Sequence, residues 1–131
     1  MNKTERMTAK QYRNMPGKRK NKYNAKKVYA DGHTFDSKRE FEYYRELMQR
    51  MGRQEIKTFE LQPEFLLQDT FRKNGETWRK VKYVADFRVY HHDGSVEIVD
   101  VKSKPTKTPT YKLKRKLFEY HYPDLTVTEV Y

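Results

Sequence analysis

The sequence contains no cysteine. Disulfides, thiolate nucleophiles and cysteine-ligated zinc are therefore excluded. Its four histidines, His33, His91, His92 and His121, show no HxxxH-type spacing, so a histidine-based zinc site has no support either. Long apolar runs are also missing. No stretch approaches the roughly 20 residues that span a bilayer, and the N-terminal region lacks the apolar segment of a secretory signal. No basic helix with a broad apolar face stands out for lying on a membrane surface. The expectation is a soluble, cytoplasmic protein with no membrane partner. Acids are scarce as well: 18 Asp and Glu face 29 Lys and Arg, for a formal net charge of +11. Such an excess speaks of partners rather than fold, and a polyanion, nucleic acid above all, is the expected one.

What is present fits one domain. A chain of 131 residues with 35% hydrophobic content can build one modest core if any unstructured part stays short. Residues 1–22 carry eight basic residues, Lys18, Arg19 and Lys20 among them, against the single acid Glu5. They read as a basic flexible arm suited to nucleic acid or to solubility, ahead of a single domain over 23–131.

Within that domain, Val28-Tyr29 and Thr34-Phe35 flank the turn pair Asp31-Gly32, a hairpin signature. Ser37-x-x-Glu40 fits a capping box that starts a helix running to about Met51, with Gly52 as its stop. Strand-like stretches follow over 57–71, 77–90 and 95–101, separated by Asn74-Gly75 and Asp93-Gly94. Thr108-Pro109 opens a second helix to about Tyr122, Pro123 ends it, and Leu125–Tyr131 reads as a last strand. The expected class is α/β, in the order αβββαβ, with a mixed central sheet flanked by helices.

The acids that remain are oddly placed. Asp100 and Lys102, two apart in Val-Asp-Val-Lys, point to the same side of a strand. Asp86 sits in Val-Ala-Asp-Phe on the preceding strand, and both aspartates follow apolar residues. An ionised carboxylate in such surroundings is costly unless it is paired or bound to metal. An ion pair at a strand end would also account for Asp100 and Lys102. Asp86 and Asp100 face each other if the Asp93-Gly94 hairpin has a three-residue loop, His92-Asp93-Gly94, with Gly94 left-handed, or an equivalent bulge. In the first helix, Phe41, Tyr44, Leu47, Met48 and Met51 form an apolar stripe. Glu40 falls inside it, whereas Glu42 and Glu46 fall on the opposite, solvent face. Capping alone could explain Glu40, and capping and metal ligation can coexist.

A helix glutamate, then D–x(n)–DxK on successive strands, then a basic helix, resembles the PD-(D/E)XK nuclease superfamily over about residues 28–131. Phe35-Asp-Ser-Lys-Arg-Glu40, Leu61-Gln-Pro63, Asp100-Val-Lys102 and Lys112–Phe118 further resemble small bacteriophage and prophage endonuclease-like proteins of that superfamily. Ala85 stands where the motif usually has its proline. The resemblance implies a restriction-endonuclease-like core and a catalytic set of Glu40, Asp86, Asp100 and Lys102. It implies Mg²⁺ or Mn²⁺ held by Asp86, Asp100, the Val101 carbonyl and Glu40, as suits hard, oxygen-preferring cations. The implied activity is metal-dependent endonucleolytic hydrolysis of DNA, acting in phage DNA metabolism in the host cytoplasm if the chain is phage-encoded.

Between Val101 and Phe118 there are seven basic residues and no acid. Lys104, Lys107, Lys112 and Lys116, with Lys18, Arg19 and Lys20 of the arm, are the expected DNA contacts. No separate module reads base sequence, so recognition is expected through phosphates and DNA shape, favouring branched DNA as a Holliday-junction resolvase would. Paired cuts at such a junction imply a homodimer. The alternative is a non-catalytic nucleic-acid-binding protein on the same fold.

Overall fold

The computed structural model describes residues 27–103 and 107–131. The basic arm 1–22, with Lys18, Arg19 and Lys20, and also Lys104 lie outside the described residues.

The first hairpin forms as its turn pair dictates. Strands β1 (Val28–Ala30) and β2 (His33–Phe35) pair antiparallel around Asp31 and Gly32, whose φ angles of 53° and 78° are left-handed. That geometry is the two-residue turn that Asp-Gly favours. Ser37 then caps helix α1 (Lys38–Gly52), its Oγ accepting the Glu40 N–H at 3.1 Å. The far end departs from expectation. Gly52 is the last helical residue, and the left-handed position falls on Gln54 (φ 61°), two residues later. The closing bonds run from Arg53 N–H to the Gln49 carbonyl and from Glu55 N–H to the Arg50 carbonyl, each 2.9 Å. The buried stripe also differs. It consists of Glu40, Tyr43, Tyr44 and Leu47, while Met48 remains 43% exposed. The helix is rotated toward Tyr43, whose ring packs on Phe87 with centroids 5.4 Å apart.

The two long strands expected over 57–71 and 77–90 exist as one bent antiparallel ribbon. Its outward leg is β3 (Thr58–Leu61), β4 (Glu64–Gln68) and β5 (Phe71–Lys73). Its return leg is β6 (Glu76–Trp78), β7 (Val81–Val84) and β8 (Phe87–Tyr90). β5 pairs with β6, β4 with β7 and β3 with β8, and Asn74-Gly75 makes the tip turn. One bend falls at Gln62, which adopts φ 52°, opposite Asp86. Ladder bonds persist through it, from Gln62 N–H to the Asp86 carbonyl (2.9 Å) and from Ala85 N–H to the Pro63 carbonyl (3.1 Å).

Strand β9 (Val96–Val101), helix α2 (Pro109–His121) and strand β10 (Val127–Val130) complete the order. Thr108 caps α2 through a 3.1 Å bond from the Tyr111 N–H. The main sheet runs β10-β9-β8-β3, with β10 parallel to β9 and the other neighbours antiparallel. The class is thus α/β with a mixed sheet.

The sheet divides two cores. Phe87, Val89 and Val99 pack with Phe35, Tyr43, Tyr44 and Leu47 on the α1 side. Ile98 and Val127 pack with Phe65, Tyr83, Ala85, Tyr111 and Phe118 on the α2 side. Ile98 and Val99, adjacent in β9, feed opposite cores, as period-two alternation requires. Ala85 and Phe87 do the reverse. In a straight strand they would share a face, yet they enter different cores. The chain therefore turns over at Asp86, between β7 and β8.

Candidate active site

Asp86 owes its position to that turnover. Strand β8 pairs with β9 in the register Phe87↔Val99 to Tyr90↔Val96. The loop between them is the three-residue His92-Asp93-Gly94, with Gly94 at φ 91° and His91 N–H bonded to the Ser95 carbonyl at 2.9 Å. Extending the register would set Asp86 opposite Asp100. Instead the ladder slips by one residue at its end, and Asp86 N–H donates to the Val99 carbonyl at 3.1 Å. The slip sends the Asp86 side chain along the strand, where Oδ2 accepts the Val101 N–H at 2.7 Å.

The Asp86 carboxyl also acts electrostatically on Glu40 of α1. Glu40 is 4% exposed. Burial first, then the charges of Asp86 and Asp36, push its carboxyl up to about 8. Burial likewise raises Asp86, against the opposing pull of the Val101 N–H and the Lys102 charge. So the box residue Glu40 gives its N–H to the Ser37 cap while its side chain serves a strand. Asp36 adds a further negative field that the sequence pattern does not announce.

Asp100 faces the other layer. It is 2% exposed and accepts a short hydrogen bond from the Tyr83 hydroxyl. Burial raises it to about 6, while Lys102 and the Asp86 N–H work to lower it. Lys102 Nζ stands 3.9 Å from Asp100 Oδ1 and 3.9 Å from the centre of the Tyr111 ring, a cation–π placement. The structure thus gathers Glu40 with Asp86, and Asp100 with Lys102, and Lys102 is the member whose charge is felt by both aspartates. Among the described residues, no three carboxylate or imidazole side chains close on one point. Val101 contributes its N–H to Asp86, and its carbonyl belongs to no bond that defines the site.

The donor set suits a hard divalent cation. Glu40, Asp86 and Asp100 offer only oxygen, and burial is the first cause that raises each of the three carboxyls.

A basic groove flanks the site. Lys112 and Lys116, both exposed, line a hollow of about 320 Å³ with Lys107, Tyr111, Arg115 and Glu129. Lys107 and Arg115 are engaged by Glu129 at 3.2 and 2.8 Å, so Lys107 is more constrained than a free phosphate contact. Burial works against the Glu129 charge, but bonds from Tyr111, Lys107 and Tyr131 and the charge of Arg115 hold it down at about 2. Tyr111 bonds Glu129 at 2.7 Å while its ring carries Lys102, linking the groove to Asp100. Tyr83, Tyr111 and Glu129 escaped sequence reasoning. The available signal was that Tyr83 lies three residues before Asp86 and that Glu129 falls beside Asp100 in parallel register.

His91 pairs with Glu97 at 3.1 Å near the β8–β9 loop, away from these acids. Among the described residues, no helix is long and apolar enough to cross a membrane. The family model described as a protein of unknown function (DUF1064) matches residues 20–131. No curated protein and no solved structure matches the chain.

Proposed function

The chain belongs to the DUF1064 family, and we propose that it is a Mg²⁺- or Mn²⁺-dependent DNA endonuclease with a restriction-endonuclease-like core. The observation that supports this reading is that three buried acids stand in two neighbouring groups, Glu40 with Asp86 and Asp100 with Lys102, and that the Lys102 charge acts on both aspartates. Glu40 comes from α1, Asp86 from the turnover between β7 and β8, and Asp100 with Lys102 from the end of β9. Acids so costly to bury, in a chain of net charge +11, are hard to explain by stability alone.

Asp86, Asp100, the Val101 carbonyl and Glu40 would hold the ion, directly or through water. When bound, the divalent cation polarises the phosphoryl oxygen and lowers the pKa of a coordinated water. The protein's own part is placement. The Val101 N–H fixes the Asp86 carboxylate, and the Tyr83 hydroxyl fixes that of Asp100. Tyr111 supports Lys102, whose ammonium orients the attacking water or neutralises charge building on the phosphate. Lys112 and Lys116, with Lys107, Lys104 and the arm residues Lys18, Arg19 and Lys20, hold the DNA backbone. Recognition through phosphates and shape favours branched DNA, and paired cutting of a four-way junction would call for a homodimer.

The test is nicking of supercoiled plasmid in Mg²⁺, Mn²⁺ or EDTA, followed by cleavage of duplex, flap, fork and four-way-junction substrates. Metal-dependent cutting is expected, faster on branched DNA than on linear duplex. Binding with no cutting in any metal would make the chain a non-catalytic nucleic-acid-binding protein.

A further inference from the structure

The outer end of the ribbon is left unexplained by the site. Strands β5 and β6 pair only with each other, and every residue from 69 to 80 is exposed. Phe71 and Trp78 are cross-strand partners there. Their rings stack with centroids 6.0 Å apart and planes 9° from parallel, yet they stay 40% and 49% exposed. A cross-strand aromatic pair adds only modestly to a ribbon's stability, little return for leaving two large rings in water. Charge surrounds them. Arg72, Lys73, Arg79 and Lys80 stand against Asp69 and Glu76 in the same segment. Arg72 turns inward to the Thr77 hydroxyl and, at 3.2 Å, to the Gly75 carbonyl, bracing the tip. Lys73, Arg79 and Lys80 are exposed in the same segment, Lys73 as the cross-strand partner of Glu76.

We propose that this tip is a nucleic-acid contact in which Trp78 and Phe71 stack on unpaired bases while Lys73, Arg79 and Lys80 meet the adjoining phosphates. The inference rests on the proposed function only in taking nucleic acid as the partner; it needs no catalysis. Charge complementarity favours a polyanion over a protein surface. A two-stranded ribbon fits a duplex major groove, but groove readers present polar groups to base edges. The tip presents a flat π surface instead, and a base offers its face only once it is unstacked. Unpaired bases occur at forks, flaps and junction centres, so the tip would give the nuclease its preference for branched DNA.

Trp78 is the only tryptophan, so its fluorescence reads the contact directly. The full-length chain would be titrated in EDTA, where cutting is blocked, with short oligothymidylate, forked DNA and blunt duplex. Quenching is expected with the first two and much less with the third. Trp78→Ala should weaken binding of forked DNA by about tenfold or more, the scale of one base–aromatic stack. Trp78→Phe should retain most of the affinity, and Phe71→Ala should reduce quenching while circular dichroism confirms the fold. Lys73→Glu with Arg79→Glu should flatten the salt dependence. Absence of quenching by any of the three probes, equal quenching by blunt duplex, or unchanged affinity in Trp78→Ala would overturn the proposal. Because the titration needs no metal, quenching without nicking would defeat the nuclease reading alone, and nicking without quenching would defeat the tip alone.

Discussion

The Val101 N–H donates to Asp86 Oδ2 at 2.7 Å, across a point where the β8–β9 ladder has slipped by one residue. A side chain here takes the place of a strand carbonyl, so Asp86 has a structural duty beside its proposed chemical one. Asp86→Ala leaves that N–H without its acceptor and should cost about 1–3 kcal/mol of stability. Asp86→Asn keeps an acceptor oxygen and should melt much closer to the parent. Equal melting of the two variants would show that the bond contributes nothing.

Glu40 gives a pH signature. Its carboxyl is raised to about 8 in the fold against an ordinary 4.5, first by burial and then by Asp86 and Asp36. Between those values the folded chain binds more protons than the unfolded one, so stability falls as pH rises. The slope from this group is at most about 1.4 kcal/mol per pH unit. In EDTA, the melting temperature should therefore drop from pH 5 toward pH 8 in the parent and drop less in Glu40→Gln. A divalent cation should restore the parent at pH 8. Parallel profiles for parent and Glu40→Gln would mean that Glu40 is not strained by burial.

Catalysis separates Glu40 from its neighbours on the same helix. Glu42 and Glu46 are exposed, whereas Glu40 is buried and feels the Asp86 charge. Glu40→Gln should cut nicking by at least tenfold, and Glu42→Gln or Glu46→Gln should leave it within about twofold, since each removes charge without touching the acids. Equal rates for the three would reduce Glu40 to a helix-end residue.

The basic arm is tested by salt. Deleting residues 1–22 should weaken DNA binding and lower the log–log salt slope, by roughly one unit for each phosphate that the arm neutralises. Nicking at low salt should survive. An unchanged slope would remove Lys18, Arg19 and Lys20 from the interface.

Local chemistry made much of this legible in advance. Asp31-Gly32, Ser37, Thr108-Pro109 and the Asp93-Gly94 loop each act within a few residues, and each forms as its residue types require. The bends were not legible. Alternation runs unbroken through Gln62 and Asp86, and only competition between two cores for Ala85 and Phe87 turns the chain over there. Met48 leaves the expected stripe for a similar reason, because packing on Phe87 rotates α1 toward Tyr43. The acids Glu40, Asp86 and Asp100 stand out because charge inside apolar segments is rare. Their supports do not, since Tyr83, Tyr111 and Glu129 look like ordinary strand and helix residues until tertiary packing joins them.

The most direct measurement is the nicking rate of purified, folded Asp86→Asn, Asp100→Asn and Lys102→Ala beside the parent, in Mg²⁺ and in EDTA, with DNA affinity measured in parallel. Asn at either aspartate should abolish cleavage while leaving DNA binding equal or tighter, because it removes negative charge beside phosphate. Lys102→Ala should lower the rate by about a hundredfold or more, the scale of removing one electrostatic interaction from the transition state. Full activity in either aspartate variant, or parent activity indifferent to EDTA, would contradict the account.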